Sequence, residues 1–370
     1  MARREKWSCE GISPTPHAFI QLPFAQLRFA PEERLEGHAE KGPSIPMRSV
    51  IRMRVCLLLS VVVVSCTSSR EDAAGRRSTD TTRAAAQADG PLVLYNAAAI
   101  ARPMRAVLDS FAARTGARYE QETAASLELA RKVTELGGEP DVLVLADPDI
   151  FPQLLEPRFV TWHALFARNR IVLAYTPRSR YAAEIDSTNW FRVLARPGVQ
   201  VGRADPKTDP SGYRTLLVWQ LAERHYHAPG LYEQMLHASP SKNVRPREAD
   251  QVALLQMNEY DYTWTYQNLA ENAGLKYVKL PDAVDLGEPA DSATYALASV
   301  QVPGKTPRDT VTFRGRPILF AVTVPVTARH RATAERFVAF LLSPDGRRIL
   351  RAQHFDALEQ PVMAGDRARE

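Results

Sequence analysis

The sequence predicts an α/β protein of two lobes, each a mostly parallel sheet flanked by helices. Three observations lead there. From residue 91 onward, short apolar runs alternate with stretches of helical periodicity. The pattern begins twice, near 91 and near 199, without a short internal repeat. The chain has 370 residues, enough for two domains of ordinary size.

Each element follows from its residues. Leu92-Val93-Leu94-Tyr95 reads as a strand that runs into the small residues Asn96-Ala97-Ala98-Ala99. A helix starts at Pro103, with Met104, Val107, Leu108 and Phe111 at helical spacing and Gly116 as its stop. Residues 117–121 read as a strand, 126–136 as a helix stopped by Gly137-Gly138, and 141–145 as a buried strand. Another strand covers 170–175. In the second unit 199–201 is a strand, and Asp209-Pro210-Ser211-Gly212 opens a long helix to about Tyr226. A helix at 246–257 and strands at 260–266, 276–280 and 318–324 follow. Helices at 329–342 and 344–353 come last.

Composition excludes several classes. Apolar residues make up 45% and charged residues 24%, which is ordinary for a globular chain and wrong for a disordered or multi-span one. The net charge of +5 is unevenly placed. Residues 1–66 hold nine Lys/Arg and six Asp/Glu, so 38 basic and 36 acidic residues remain for the body. That balance gives no electrostatic case for nucleic acid. The three cysteines, Cys9, Cys56 and Cys66, all lie in the first 66 residues. A disulfide scaffold, a zinc-cysteine site or a catalytic cysteine is therefore excluded from the body.

The N-terminal region reads as an address. Arg52 and Arg54 precede an apolar run, Val55 to Val64, broken only by Ser60. The run is about half the length that spans a bilayer and fits the core of a secretory signal. It ends Val63-Val64-Ser65-Cys66, the pattern of a bacterial lipoprotein cleavage site, which predicts Cys66 as the lipidated first residue of the mature chain. Residues 1–52 then have no role and predict an over-extended gene start, with Met47 or Met53 as the true one. Residues 67–90 are small, polar and charged and read as a flexible tether.

No G-x-S-x-G, G-x-x-x-x-G-K-[ST] or H-E-x-x-H motif is present. His225 and His227 flank Tyr226 but do not share a helical face, and they read as surface residues. The informative feature is small residues and hydroxyls at helix starts, where free N–H groups suit anions. Three such places occur: Asn96–Ala101, Ser126, and Asp209–Gly212. Ser126 and Asp209 also read as plain helix caps, although Ser126 and Glu128 do not have capping-box spacing.

The runs ETAASLELARKVTEL (122–136), PDVLVLAD (140–147), FARNRIVLAYTPRSRYAAEIDSTNW (166–190), DPSGYRT (209–215) and NVRP (243–246) fall in this order along the chain. Together with Tyr266-Gln267, they resemble the molybdate/tungstate-binding proteins of ABC importers, especially the tungstate-type branch. The resemblance covers about 91 to 355. It implies the type II periplasmic binding protein fold, with two lobes joined by two crossovers and a ligand cleft between them. Lobe one would be 91–168 plus 284–366, and lobe two 169–283.

The resemblance also implies a ligand set. Ser126 matches a serine donor, Ser211 and Val244 match backbone amide donors, and Tyr266 matches a hydroxyl donor. Two carboxylates approach the metal centre in the tungstate branch. One matches Asp209, but the other falls at Thr265, which has no carboxylate. The first-loop serine is also missing, since Ala97-Ala98-Ala99-Ile100 stands there, leaving backbone N–H groups of Ala98 and Ala99. The oxyanion is therefore expected to stay four-coordinate.

The resulting expectation is a monomeric, lipid-anchored receptor that hands molybdate or tungstate to an importer permease. It is not an enzyme, has no cofactor, and touches the membrane only through its anchor. Two alternatives stay open. One is a drifted sensor or accessory lipoprotein for another anion. The other is a ferric-ion receptor using Tyr262, Tyr266 and Asp209 as hard oxygen donors.

Overall fold

A computed structural model describes residues 90–304 and 309–368. The signal segment 53–66 with Cys66, the extension 1–52 and nearly all of the tether lie outside the described residues. Thirteen strands occur among those described. They are β1 (Leu92–Ala97), β2 (Tyr119–Ala124), β3 (Val142–Leu145), β4 (Trp162–Asn169), β5 (Ile171–Tyr175), β6 (Val201–Ala204), β7 (Val244–Arg245), β8 (Tyr262–Tyr266) and β9 (Lys276–Lys279). After these come β10 (Ser299–Pro303), β11 (Thr310–Arg314), β12 (Ile318–Thr323) and β13 (Asp356–Gly365).

One sheet runs β13-β4-β12-β3-β1-β2 and a second runs β7-β6-β8-β5-β9. β10 and β11 pair as a hairpin. The apolar run of β3 is explained by its place: it is buried on both faces between β1 and β12. β4 passes into β5 with only Arg170 between them, so the chain crosses from one sheet to the other in a single residue. It returns after β9 through the short helix Asp282–Asp285 and reaches β12, whose Ile318 N–H donates to Leu286 O. Arg170 Nη1 lies 2.9 Å from Asp285 Oδ2, so the outgoing and returning segments are tied together.

The sheets are mixed where mostly parallel ones are expected. β2, β1 and β3 pair in parallel, as do β7, β6 and β8. β12, β4 and β13 join the first sheet antiparallel, and β5 and β9 join the second antiparallel. Consequently β12 and β13 run against β1, β2 and β3 while β4 runs with them, and β5 runs against β6, β7 and β8 while β9 runs with them.

Other differences are local. β4 carries His163, Arg168 and Asn169 among apolar residues, which breaks up its signal. β13 is an edge strand with Pro361 at a break in register, the position where a sheet tolerates proline. The helix Ala101–Thr115 does stop at Gly116, at φ 73°, a left-handed cap that glycine adopts cheaply.

The second lobe is centred on the helix Pro210–His225, buried on nearly every side. Trp264 of β8 meets Trp190 edge-on at 5.1 Å and Trp219 at 6.0 Å. Gly212 lets the helix start sit on the turn after β6. A Cβ there would come within 2.6 Å of Ala204 O.

Candidate functional site

Six strand ends build the site, three from each lobe. β1 ends in the 3-10 turn Ala98–Ile100, β2 before the helix Ser126–Glu135, and β3 at Ala146 and Asp147. β6 leads to Asp209 and the helix Pro210–His225, β7 to the helix Glu248–Gln256, and β8 to Tyr266 and the helix Gln267–Asn272. Each trio is parallel, so its carboxyl ends gather at one edge, where open α/β sheets take ligands.

The two edges face and touch each other. Leu127 N–H, in the first turn of its helix, donates to Thr208 O at 3.1 Å. Asn268 Nδ2 donates to Ala99 O at 2.9 Å. Arg214 reaches across the seam, donating from Nη1 to Ala146 O at 2.6 Å and to Tyr266 Oη at 2.7 Å. Its Nη2 lies 2.9 Å from Asp147 Oδ2 without hydrogen-bond alignment. Tyr213 Oη donates to the same Asp147 oxygen at 2.6 Å. Arg214 is 2% exposed. Burial opposes its charge, but Tyr266 and Asp147 outweigh it and raise its pKa.

Ser126 is not the cap of its helix. Ala125 holds that place, and Glu128 Oε2 accepts the Ala125 N–H at 3.4 Å, the reach-back half of a capping box. The Ser126 hydroxyl instead accepts the Ala146 N–H at 3.0 Å. A hydroxyl that accepts still has its own proton to donate. Ser126 is 1% exposed.

Asp209 does cap its helix. Oδ1 accepts Ser211 N–H at 2.9 Å, and Oδ2 accepts Glu248 N–H at 3.1 Å. One carboxylate thereby joins two helix starts. Burial raises its pKa. The Ser211 hydroxyl is buried beside it with no well-formed hydrogen bond among the described residues.

Thr265 and Tyr266 close the site on the β8 side, both fully buried. Thr265 Oγ1 and Tyr266 N–H both donate to Glu248 Oε1, each at 2.5 Å. Burial and then the Asp209 charge push the Glu248 carboxyl up to about 8. Burial also drives the Tyr266 hydroxyl well above its ordinary value.

Ala98 and Ala99 are buried at the start of the 3-10 turn, against the helix Glu248–Gln256. Val244 is placed differently. It lies on β7 at the sheet edge, half-buried, and its N–H donates to Ser241 O. Tyr262 and Tyr266 stand four residues apart on one strand, roughly 13 Å at strand rise. The Tyr262 hydroxyl bonds Arg180 O, so the structure does not bring the ferric donor set together. His225 and His227 are exposed.

Arg214, Glu248 and Asp147 are the residues that sequence reasoning did not assign. Each stood inside or beside a run already quoted: DPSGYRT, NVRP and PDVLVLAD. The available signal was charge in otherwise apolar or turn-forming stretches.

Residues 92–356 match the family of bacterial extracellular solute-binding proteins. An uncharacterised solute-binding protein of Petrotoga mobilis is 37% identical over 273 residues, 74% of this chain and 85% of its own. The molybdate/tungstate-binding protein WtpA of Thermococcus kodakarensis is 30% identical over 348 residues, 86% of this chain and 95% of its own. Among solved structures, the Azotobacter vinelandii periplasmic molybdate-binding protein superposes with a TM-score of 0.51 at 16% identity, over 73% of this chain and all of that one. That likeness shows the type II periplasmic binding protein fold. The relatives are binders of solutes, not catalysts. With the family match covering most of its length, the chain belongs to the bacterial extracellular solute-binding protein family.

Proposed function

We propose that this chain is the lipid-anchored receptor of an ABC importer, and that it captures molybdate or tungstate between its lobes and hands it to the permease. The observation that carries the reading is the meeting of six strand ends at one buried seam. Hydroxyls of Ser126 and Tyr266 there still have protons to donate. The first-turn N–H groups of Ala98 and Ala99 add donors of the kind that helix starts offer an anion, and the Ser211 hydroxyl, buried with no well-formed hydrogen bond among the described residues, adds another. The Thermococcus relative, matched over 86% of this chain, is a molybdate/tungstate-binding protein by name and supports the ligand class.

The test is thermal stability and calorimetry of the purified chain with molybdate, tungstate, sulfate and phosphate. Saturation to a hundredfold above Kd stabilises by roughly 2.7 kcal/mol and raises Tm accordingly. A shift with sulfate or phosphate and none with the metal oxyanions would replace this reading with the drifted receptor. That second reading draws on the alanines that stand where a first-loop serine is expected. The anchor has its own test: Cys66→Ala is expected to move the protein from the membrane to the soluble fraction. A wild-type chain that is soluble with an unmodified N-terminus would remove the anchor from the proposal.

A further inference from the structure

We infer that Arg131, on the helix Ser126–Glu135 of lobe one, is the positioning residue that clasps the lobes shut, and that it sets how slowly a captured solute leaves. For its solute the inference rests on the oxyanion reading above; for the clasp it rests on contacts alone. Three observations carry it. One helix turn holds two neighbouring carbonyls of lobe two: Leu127 N–H donates to Thr208 O at 3.1 Å, and Arg131 Nη1 donates to Lys207 O at 3.0 Å. Residues four apart share a helix face, so the turn between β6 and the helix Pro210–His225 is gripped at adjacent points. Arg131 Nη2 also donates to Pro303 O of β10, at 3.2 Å. Finally, the β10–β11 hairpin belongs to neither large sheet and is seated on the helix Pro210–His225. Phe313 stacks on Tyr213 with ring centres 4.6 Å apart, both rings buried, and Gln220 exchanges two hydrogen bonds with the main chain of Ser299. One guanidinium thus grips the turn and the hairpin together.

Both acceptors of Arg131 are main-chain carbonyls of the chain itself. The bond to Lys207 is exposed, so water replaces it on opening and no buried group is left unpaired there. A clasp of this kind opens and recloses at little cost. A solute enters the open form and leaves only after the clasp parts. Loss of the clasp bonds therefore raises koff and leaves kon nearly unchanged. The closed fraction falls, and apparent affinity falls with it. The effect is the same for every solute, because Arg131 answers the chain and not the captured ion.

The experiment uses the purified full chain. Hydrogen exchange at the Leu127 amide needs no solute. That N–H is among the first of its helix, which have no acceptor within the helix, so its protection reports the bond to Thr208. The amide is expected to be protected in the wild type and roughly three- to tenfold less so in Arg131→Met. Stopped-flow tryptophan fluorescence is expected to show koff raised by the same factor for tungstate and molybdate, with kon changed by less than about twofold. Arg131→Lys keeps the charge but loses the planar fork that spans two carbonyls, and is expected to fall between the two. An unprotected Leu127 amide in the wild type, or an unchanged koff in Arg131→Met, would overturn the clasp. A rise in koff for one oxyanion alone would put Arg131 on the solute and overturn its positioning role. A wild type that binds neither metal oxyanion would overturn the oxyanion reading, and exchange at Leu127 then decides the clasp by itself.

Discussion

The two helix starts that meet at the seam are built in opposite ways. The helix Ser126–Glu135 begins on Ala125, whose side chain cannot cap, and its hydroxyl residue is turned to β3. The helix Pro210–His225 begins on Asp209, which satisfies its own first turn and that of a second helix. Lobe one therefore brings the Ser126 hydroxyl and the Asp147 carboxylate to the seam, while lobe two brings the carboxylates of Asp209 and Glu248, the Tyr266 hydroxyl and one guanidinium. A binding site needs donors that stay available, and a helix without a side-chain cap provides them. A closed seam needs charges that are answered, and Arg214 with Asp147 answers one pair across it.

The contrast is broken most severely at Arg214. Arg214→Met leaves Asp147 buried without its cation, and removal of one partner of such a pair costs about 3–5 kcal/mol. Urea denaturation measures it, and a loss below about 1 kcal/mol would show that the bridge across the seam is not stabilising. Ser126→Ala acts on the donor side. It is expected to weaken oxyanion binding by about 1.5–3 kcal/mol in calorimetry, the worth of a hydrogen bond to a charged group. Unchanged affinity would leave Ser126 with only its bond to Ala146. Asp209→Ala removes the cap and is expected to cost about 0.5–2 kcal/mol in thermal unfolding, with Asp209→Asn milder. Equal losses for both variants would show that the charge, not the cap geometry, is what stabilises.

A pH dependence, comparable in size to the loss at Arg214, reads the buried Glu248 carboxyl. Glu248 titrates at about 8 in the folded chain against 4.5 ordinarily, so the folded state holds the proton more tightly. The stability this contributes is complete below pH 4.5 and is lost as pH rises to about 8. Glu248→Gln has no proton to lose. Without oxyanion, its stability relative to the wild type is expected to grow across that window. A constant difference would mean that Glu248 titrates at its ordinary value.

Much of this was readable from residues. Apolar runs and helix periods located β1, β3, β5, β8 and β12, because each is a buried strand with few polar interruptions. β4 and β13 were not readable, since polar residues in one and an edge proline in the other are tolerated only by their partners. At the site, Ser126, Asp209 and Tyr266 were legible as members of motifs. Glu248 was not, because nothing in one dimension brings it to Thr265, 17 residues away. Pairing of β6 with β7 and β8 does that, and pairing partners are a property of the fold.

The single residue between β4 and β5 has a mechanical consequence. Arg170 separates the sheets, and its guanidinium is pinned to Asp285 on the returning segment. Two connecting segments tied side by side resist twisting and sliding of one lobe on the other, and leave bending as the soft coordinate. Motion along one coordinate carries little orientational entropy, so little is surrendered on closing. If the lobes close on a solute as proposed, capture would run along that one coordinate. A single pair of dyes, one near Arg131 and one near Lys207, would report the whole of it.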